Sequence, residues 1–123
     1  MSSPAATSLS ITHKEQEQRP VLVLSGELDT TTAPQLAVSA LDLVDQGARD
    51  VIVETAGLTL CDSSGLSVFV EIAARLRSRA GRLVLVAPSE QLQQALAAGG
   101  LAATFKVAPS VAGALYAIHR DHP

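Results

Sequence analysis

The chain has 123 residues and a formal net charge of −3, and its composition is 47% hydrophobic, 17% charged and 2% aromatic. That is one domain's length with ample core material, too little charge for a disordered chain, and no basic field to draw nucleic acid or anionic lipid. The single cysteine, Cys61, excludes an internal disulfide; the three histidines, His13, His119 and His122, show no metal-ligand spacing.

Residues 1–7 read as a frayed lead-in without the basic and apolar regions of a signal peptide. No apolar run approaches the roughly 20 residues of a membrane span. A soluble, cytoplasmic domain is expected. Leu9-Ser-Ile-Thr-His13 alternates apolar and polar residues, the period of a half-buried strand. Lys14 to Arg19 reads as a hairpin turn. Val21 to Leu24 is continuously apolar and suits a strand covered on both faces; Gly26-Glu-Leu-Asp29 ends it. The spacing then predicts a helix over Thr32–Gln46, capped among Thr30, Thr31 and Thr32, with Pro34 in its first turn and Gly47 as terminator. Its buried stripe would be Leu36, Ala40, Leu43 and Val44.

Val51 to Val53 reads as a second buried strand, and Glu54 to Cys61 as a connection. The longest helix is expected from Ser63 to Ala80, burying Leu66, Phe69, Val70, Ala73 and Leu76 and stopping at Gly81. Leu83 to Val86 is another buried strand. Ser89 caps a short helix carrying Leu92 and Leu96, which Gly99 and Gly100 end. Thr104 to Val107 reads as a short edge strand. Ser110 caps a last helix with Val111, Ala114, Leu115 and Ile118 at i, i+3, i+4 and i+7. The order β-β-α-β-α-β-α-β-α implies a single α/β domain over residues 8–118, with a tail at 119–123. Its mixed sheet would have an N-terminal hairpin and then parallel strands, packed by about four helices.

Chemistry is sparse. No phosphate loop of the GxxxxGK[ST] or GxGxxG type occurs, and no GxSxG elbow. Glu27 and Asp29 form an acidic pair that reads mainly as a strand-end turn. Arg75, Arg77, Arg79 and Arg82 sit around a helix C-terminus, where cations are favoured. Cys61 reads as a small buried residue rather than a reactive thiol. The informative segment is Cys61-Asp-Ser-Ser-Gly-Leu66, which crowds two hydroxyls and a carboxylate at a helix start. Asp62 or Ser63 could simply cap the helix, with Gly65 giving a tight first turn. A modifiable hydroxyl is the second reading, because a helix N-terminus tolerates added negative charge.

Three segments together resemble the STAS-domain family, and within it the bacterial anti-anti-sigma factors (anti-sigma-factor antagonists). Gly26-Glu-Leu-Asp29 resembles the family's GELD segment. Asp62-Ser-Ser-Gly-Leu66 resembles its D-S-[ST]-G-L phosphorylation motif. Gly100-Leu101, Phe105 and the final amphipathic helix resemble its C-terminal part. Ser67 stands where phosphorylated members usually carry glycine, and Glu54-Thr55-Ala56 where Asp-Leu-Ser is common.

The resemblance implies a binding protein with no cofactor or metal and no catalytic residue. Its unphosphorylated form would bind a GHKL-type serine kinase that is also an anti-sigma factor, releasing the sigma factor. Ser63 would be the phosphoacceptor, and a PP2C-type phosphatase would reset it. Asp62, Ser64, Gly65, Gly26, Glu27 and Asp29 would form the partner-binding surface. The alternative is an unphosphorylated scaffold, or an accessory subunit of a transporter or signalling assembly, in which Ser63 only caps.

Overall fold

The computed structural model describes residues 8–101 and 105–121. Its elements follow in chain order as β1 (Leu9–Gln16), β2 (Arg19–Leu28), α1 (Ala33–Asp45), β3 (Val51–Cys61), α2 (Ser63–Arg77), β4 (Leu83–Val86), α3 (Glu90–Ala98), β5 (Lys106–Ala108) and α4 (Val111–Asp121). The lead-in at 1–7, Thr104 of the expected edge strand and the last two residues of the tail lie outside the described residues.

The five strands form one sheet in the order β1-β2-β3-β4-β5. β1 and β2 are antiparallel, and every later pairing is parallel. This is the expected mixed sheet. The continuous apolar runs reflect burial on both faces. Leu22, Leu24, Val51, Val53, Leu83 and Leu85 face a core closed by Leu36 and Val44 of α1, Phe69, Ile72 and Leu76 of α2, and Leu92 and Leu96 of α3. Their neighbours Val21, Ile52, Val84 and Val86 face the other side, where α4 lays down Ala114, Leu115 and Ile118. The alternating residues of a strand point to opposite faces, so a strand sandwiched between two layers has no polar position to spare.

Several boundaries differ from the sequence reading, among them the end of α2, which stops at Arg77 rather than Ala80. The hairpin turn is not six residues long but two. The strands pair up to Gln16 opposite Arg19, and Glu17 and Gln18 turn the chain with φ of 50° and 67°. The larger correction is at Glu54–Cys61, which is not a connection but the second half of β3. It pairs with β2 from Val23↔Glu54 to Leu28↔Cys61 through two register shifts. Smaller differences concern packing. Leu43, Leu66 and Val70 are only half-buried, whereas Ile72 is fully buried. α4 runs through Asp121, so residues 119–121 continue the helix. No helix of the described residues is long and apolar enough to cross a membrane.

Candidate functional site

β2 and β3 run parallel and end side by side, Leu28 opposite Cys61. A helix begins just beyond each, so two sets of unpaired helix-start N–H groups are brought next to one another. The chain meets both with an aspartate placed directly after the strand. Asp62 is the N-cap of α2, and its Oδ1 accepts from the N–H of Ser64 at 2.9 Å and of Gly65 at 3.3 Å. Of the two caps open in the sequence, Asp62 is therefore the one used. Asp29 plays the matching part before α1, its Oδ1 accepting from Thr31 N–H at 2.9 Å and Thr32 N–H at 3.1 Å. Thr32 occupies the N-cap position, yet its hydroxyl donates to the Glu27 carbonyl at 2.7 Å and accepts from Asp29 N–H at 2.9 Å. The threonines thus close the loop rather than cap the helix.

A hydroxyl pair ties the two helix starts together. Thr30 Oγ1 and Ser64 Oγ lie 3.0 Å apart. Ser63, the first residue of α2, is exposed, and among the described residues no group bonds its side-chain hydroxyl. One turn on, Ser67 Oγ donates to the Ser63 carbonyl at 3.0 Å. Asp62 is further fixed through the backbone, its N–H donating to the Leu28 carbonyl at 3.1 Å.

Two glycines let these parts approach. A Cβ on Gly65 would fall 2.6 Å from Leu28 Cγ and 3.0 Å from Cys61 Sγ, so α2 starts in direct contact with the strand ends. Gly26 has φ of 111°, and its Cα faces the Ser8 carbonyl at a distance no side chain would fit. The next residue, Glu27, is half-buried, and its N–H donates to that same carbonyl at 3.3 Å.

The structure therefore gathers Asp62, Ser63, Ser64 and Gly65 with Asp29 at one end of the sheet, and Gly26 and Glu27 line the strand that leads there. Thr30 and Thr32 belong to the same cluster, although the sequence offered them only as caps. Leu60 is a second omission, an apolar side chain left 45% exposed two residues before the motif. The arginines lie elsewhere. Arg79 Nη1 donates to the Val44 carbonyl near the C-terminus of α1, and Asp50 accepts from Arg82 N–H at 3.0 Å and pairs with Arg19 at 3.6 Å.

The chemistry available at the cluster is limited. Among the described residues, no histidine, lysine or arginine bonds either serine hydroxyl, and no group of three His, Cys, Asp or Glu side chains is gathered to hold a metal. Cys61 is half-buried, and burial first, then the Asp62 charge, push its thiol from 9.0 up to about 11. It stays protonated at neutral pH and is a poor nucleophile. What the site presents is one free hydroxyl at a helix N-terminus, on a surface held by two aspartates.

Comparison with known proteins identifies the fold and the family. The family model "STAS domain" matches residues 10–114. The chain is 30% identical to BtrV of Bordetella bronchiseptica, a provisionally named anti-sigma factor antagonist, over 73% of this chain and 78% of that one. An anti-sigma factor antagonist from Mycobacterium paratuberculosis superposes with a TM-score of 0.85 at 23% identity, covering 94% of this chain and 97% of the other. The phosphorylated form of the Bacillus cell fate determinant SpoIIAA superposes with a TM-score of 0.69 at 25% identity, covering 90% and 98%. The five-stranded mixed sheet, the match over most of its length and these relatives together place the chain: it belongs to the STAS domain family.

Proposed function

We propose that the protein is an anti-sigma-factor antagonist whose binding surface is switched by phosphorylation of Ser63. In its unphosphorylated form it binds an anti-sigma factor that is also a serine kinase of the GHKL type, and so releases a sigma factor. The protein does no chemistry itself; the kinase adds the phosphate and a PP2C-type phosphatase removes it. The observation that carries the reading is the state of Ser63. Its neighbours are committed, Asp62 to capping and Ser64 to Thr30, whereas the Ser63 hydroxyl is exposed and unbonded. A residue needed only as a cap would hold the backbone, and here Asp62 does that.

The physics of the switch follows from the same arrangement. A phosphate on Ser63 brings about −1.5 to −2 charges to the first residue of α2, where the unpaired N–H groups tolerate it. The domain itself would remain folded. A partner fitted to a neutral hydroxyl beside Asp62 would face like charge and a costly desolvation, and its affinity would fall. BtrV bears the name of an anti-sigma factor antagonist, and SpoIIAA has been solved in a phosphorylated form; both support the reading.

The test uses the cognate kinase with nucleotide, followed by intact mass and by calorimetric titration. Wild type should gain one phosphate and Ser63→Ala none. Ser63→Ala should bind the kinase about as well as wild type, and Ser63→Asp should bind more weakly. Label persisting in Ser63→Ala would refute the acceptor. Equal loss of binding in Ser63→Ala and Ser63→Asp would refute charge as the cause.

A further inference from the structure

β3 outruns its neighbour. It pairs with β4 only from Val51↔Leu83 to Glu54↔Val86, whereas its pairing with β2 continues to Leu28↔Cys61. Beyond Val86 the chain turns away: Ala87 has φ of 53°, and its N–H donates to the Ala108 carbonyl. The far edge of Ala56–Cys61 therefore has no strand beside it among the described residues. In a strand every second residue points its N–H and C=O to a given edge; the bulge between Leu58 and Leu60 interrupts that alternation once, so unpaired backbone groups face this edge on either side of it.

A groove of about 180 Å³ runs along that edge. It is lined on one side by Leu58, Thr59, Leu60 and Cys61, and on the other by α3, chiefly Leu92 and Ala95. Its floor is apolar, and Leu60 is 45% exposed at its mouth. The volume is below the roughly 300–1,000 Å³ of small-molecule sites and suits one large aliphatic side chain. The charged residues flanking it share one sign. Asp62 follows Cys61, and Glu90 lies between Ser89 and Gln91. Among the described residues no lysine or arginine lines it.

We infer that this groove is a docking site for an extended segment of a partner protein, which adds a strand to the free edge of β3. The segment seats one large aliphatic side chain against Leu58, Leu60 and Leu92 and carries Lys or Arg toward Asp62 and Glu90. Main-chain hydrogen bonds supply affinity and the side-chain pocket supplies selectivity. The surface is distinct from the Ser63 hydroxyl, and the inference does not depend on modification of that serine.

The test is amide NMR and hydrogen exchange on the whole chain, titrated with the synthetic peptide Lys-Val-Thr-Leu-Thr-Val-Lys. Saturable shifts and slowed exchange are expected at the edge-facing amides within 56–61. Peptides N-methylated at one or the other set of alternate amides should differ, one set losing binding. Leu60→Glu, a change at an exposed position, should weaken binding about tenfold, the scale of one lost anchor. Glu90→Lys should weaken it too, and the peptide with Glu at both ends should bind more weakly than the Lys form. Equal binding by both N-methylated sets and the parent would overturn strand addition. Indifference to Leu60→Glu, or to the charge of the peptide ends, would overturn the groove and its polarity. Protection of 56–61 that rises with protein concentration, without peptide, would assign the edge to a second copy and overturn the proposed partner.

Discussion

Gly65 and Gly113 allow the packing at the start of α2 to be weighed by itself. Each is the third residue of its helix, and the N–H of each is held by the capping side chain, that of Asp62 or of Ser110. Replacing either by alanine recovers a similar helix-propensity gain, up to about 1 kcal/mol. The steric terms differ. At Gly65 the new methyl would meet Leu28 Cγ at 2.6 Å, Leu28 Cδ2 at 2.7 Å and Cys61 Sγ at 3.0 Å, about 1 Å inside an ordinary carbon contact. Leu28 is fully buried, so its side chain can yield only against packed neighbours and the clash costs roughly 1–3 kcal/mol. At Gly113 the nearest atoms are Pro109 Cδ at 3.3 Å and Ser110 Oγ at 3.4 Å, which need yield only by tenths of an ångström. Gly65→Ala should therefore be less stable than Gly113→Ala by about 1–3 kcal/mol, the propensity terms cancelling. The assay is urea denaturation of both variants and wild type, compared at equal m-values. Leu28→Ala combined with Gly65→Ala should show a favourable coupling, because the shortened side chain makes room. Equal stabilities of the two single variants, or additive behaviour of the double, would refute a rigid contact between α2 and the strand ends.

Phe69→Ala should cost roughly 3–5 kcal/mol in the same titration, since Phe69 is fully buried and meets Phe105 edge-on at 6.3 Å; a cost near zero would refute the packing of α2. Asp62→Ala should cost about 1 kcal/mol, whereas Asp62→Asn, which keeps the accepting oxygen, should cost a few tenths; equal losses would show that charge, not the cap, is what matters. Cys61 should react slowly with iodoacetamide at pH 8, accelerating toward pH 11. Its raised folded value means that the folded state holds the proton longer. That stability is complete below pH 9 and is lost as the pH rises through about 11, so Cys61→Ala should flatten the alkaline limb of the stability profile.

Most of the fold was legible because the layers leave a plain signature. Leu83–Val86 was readable to the residue, since a strand buried on both faces admits only apolar side chains. The starts of α2 and α3 were readable because Asp62 and Ser89 are caps with few other uses. The second half of β3 was not. Ala56-Gly57 looks like a break, and past it one edge and part of the surface are open, so the apolar run stops although the backbone pairing with β2 continues. The alternation of Leu58 and Leu60 was the remaining signal. The hairpin was misjudged because Glu17 and Gln18 adopt positive φ without glycine or asparagine. The structure brings the motif residues to one end of the sheet, but the role of Thr30 depends on a contact across 34 positions of the chain, which no local pattern reports.

The strand order matters for how the molecule assembles. Because spatial order equals chain order, each new strand joins the outer edge of what already exists, and none must insert between two formed neighbours. The cluster around Ser63 is built from β2, α1, β3 and the start of α2 alone. During synthesis, which proceeds from the N-terminus, every strand and loop that shapes it is made before β4, β5 and α4. The half of the chain that follows supplies the rest of the covering, α2 and α3 beside α1 on one face and α4 on the other, so substitutions there should act on the lifetime of the surface rather than on its shape.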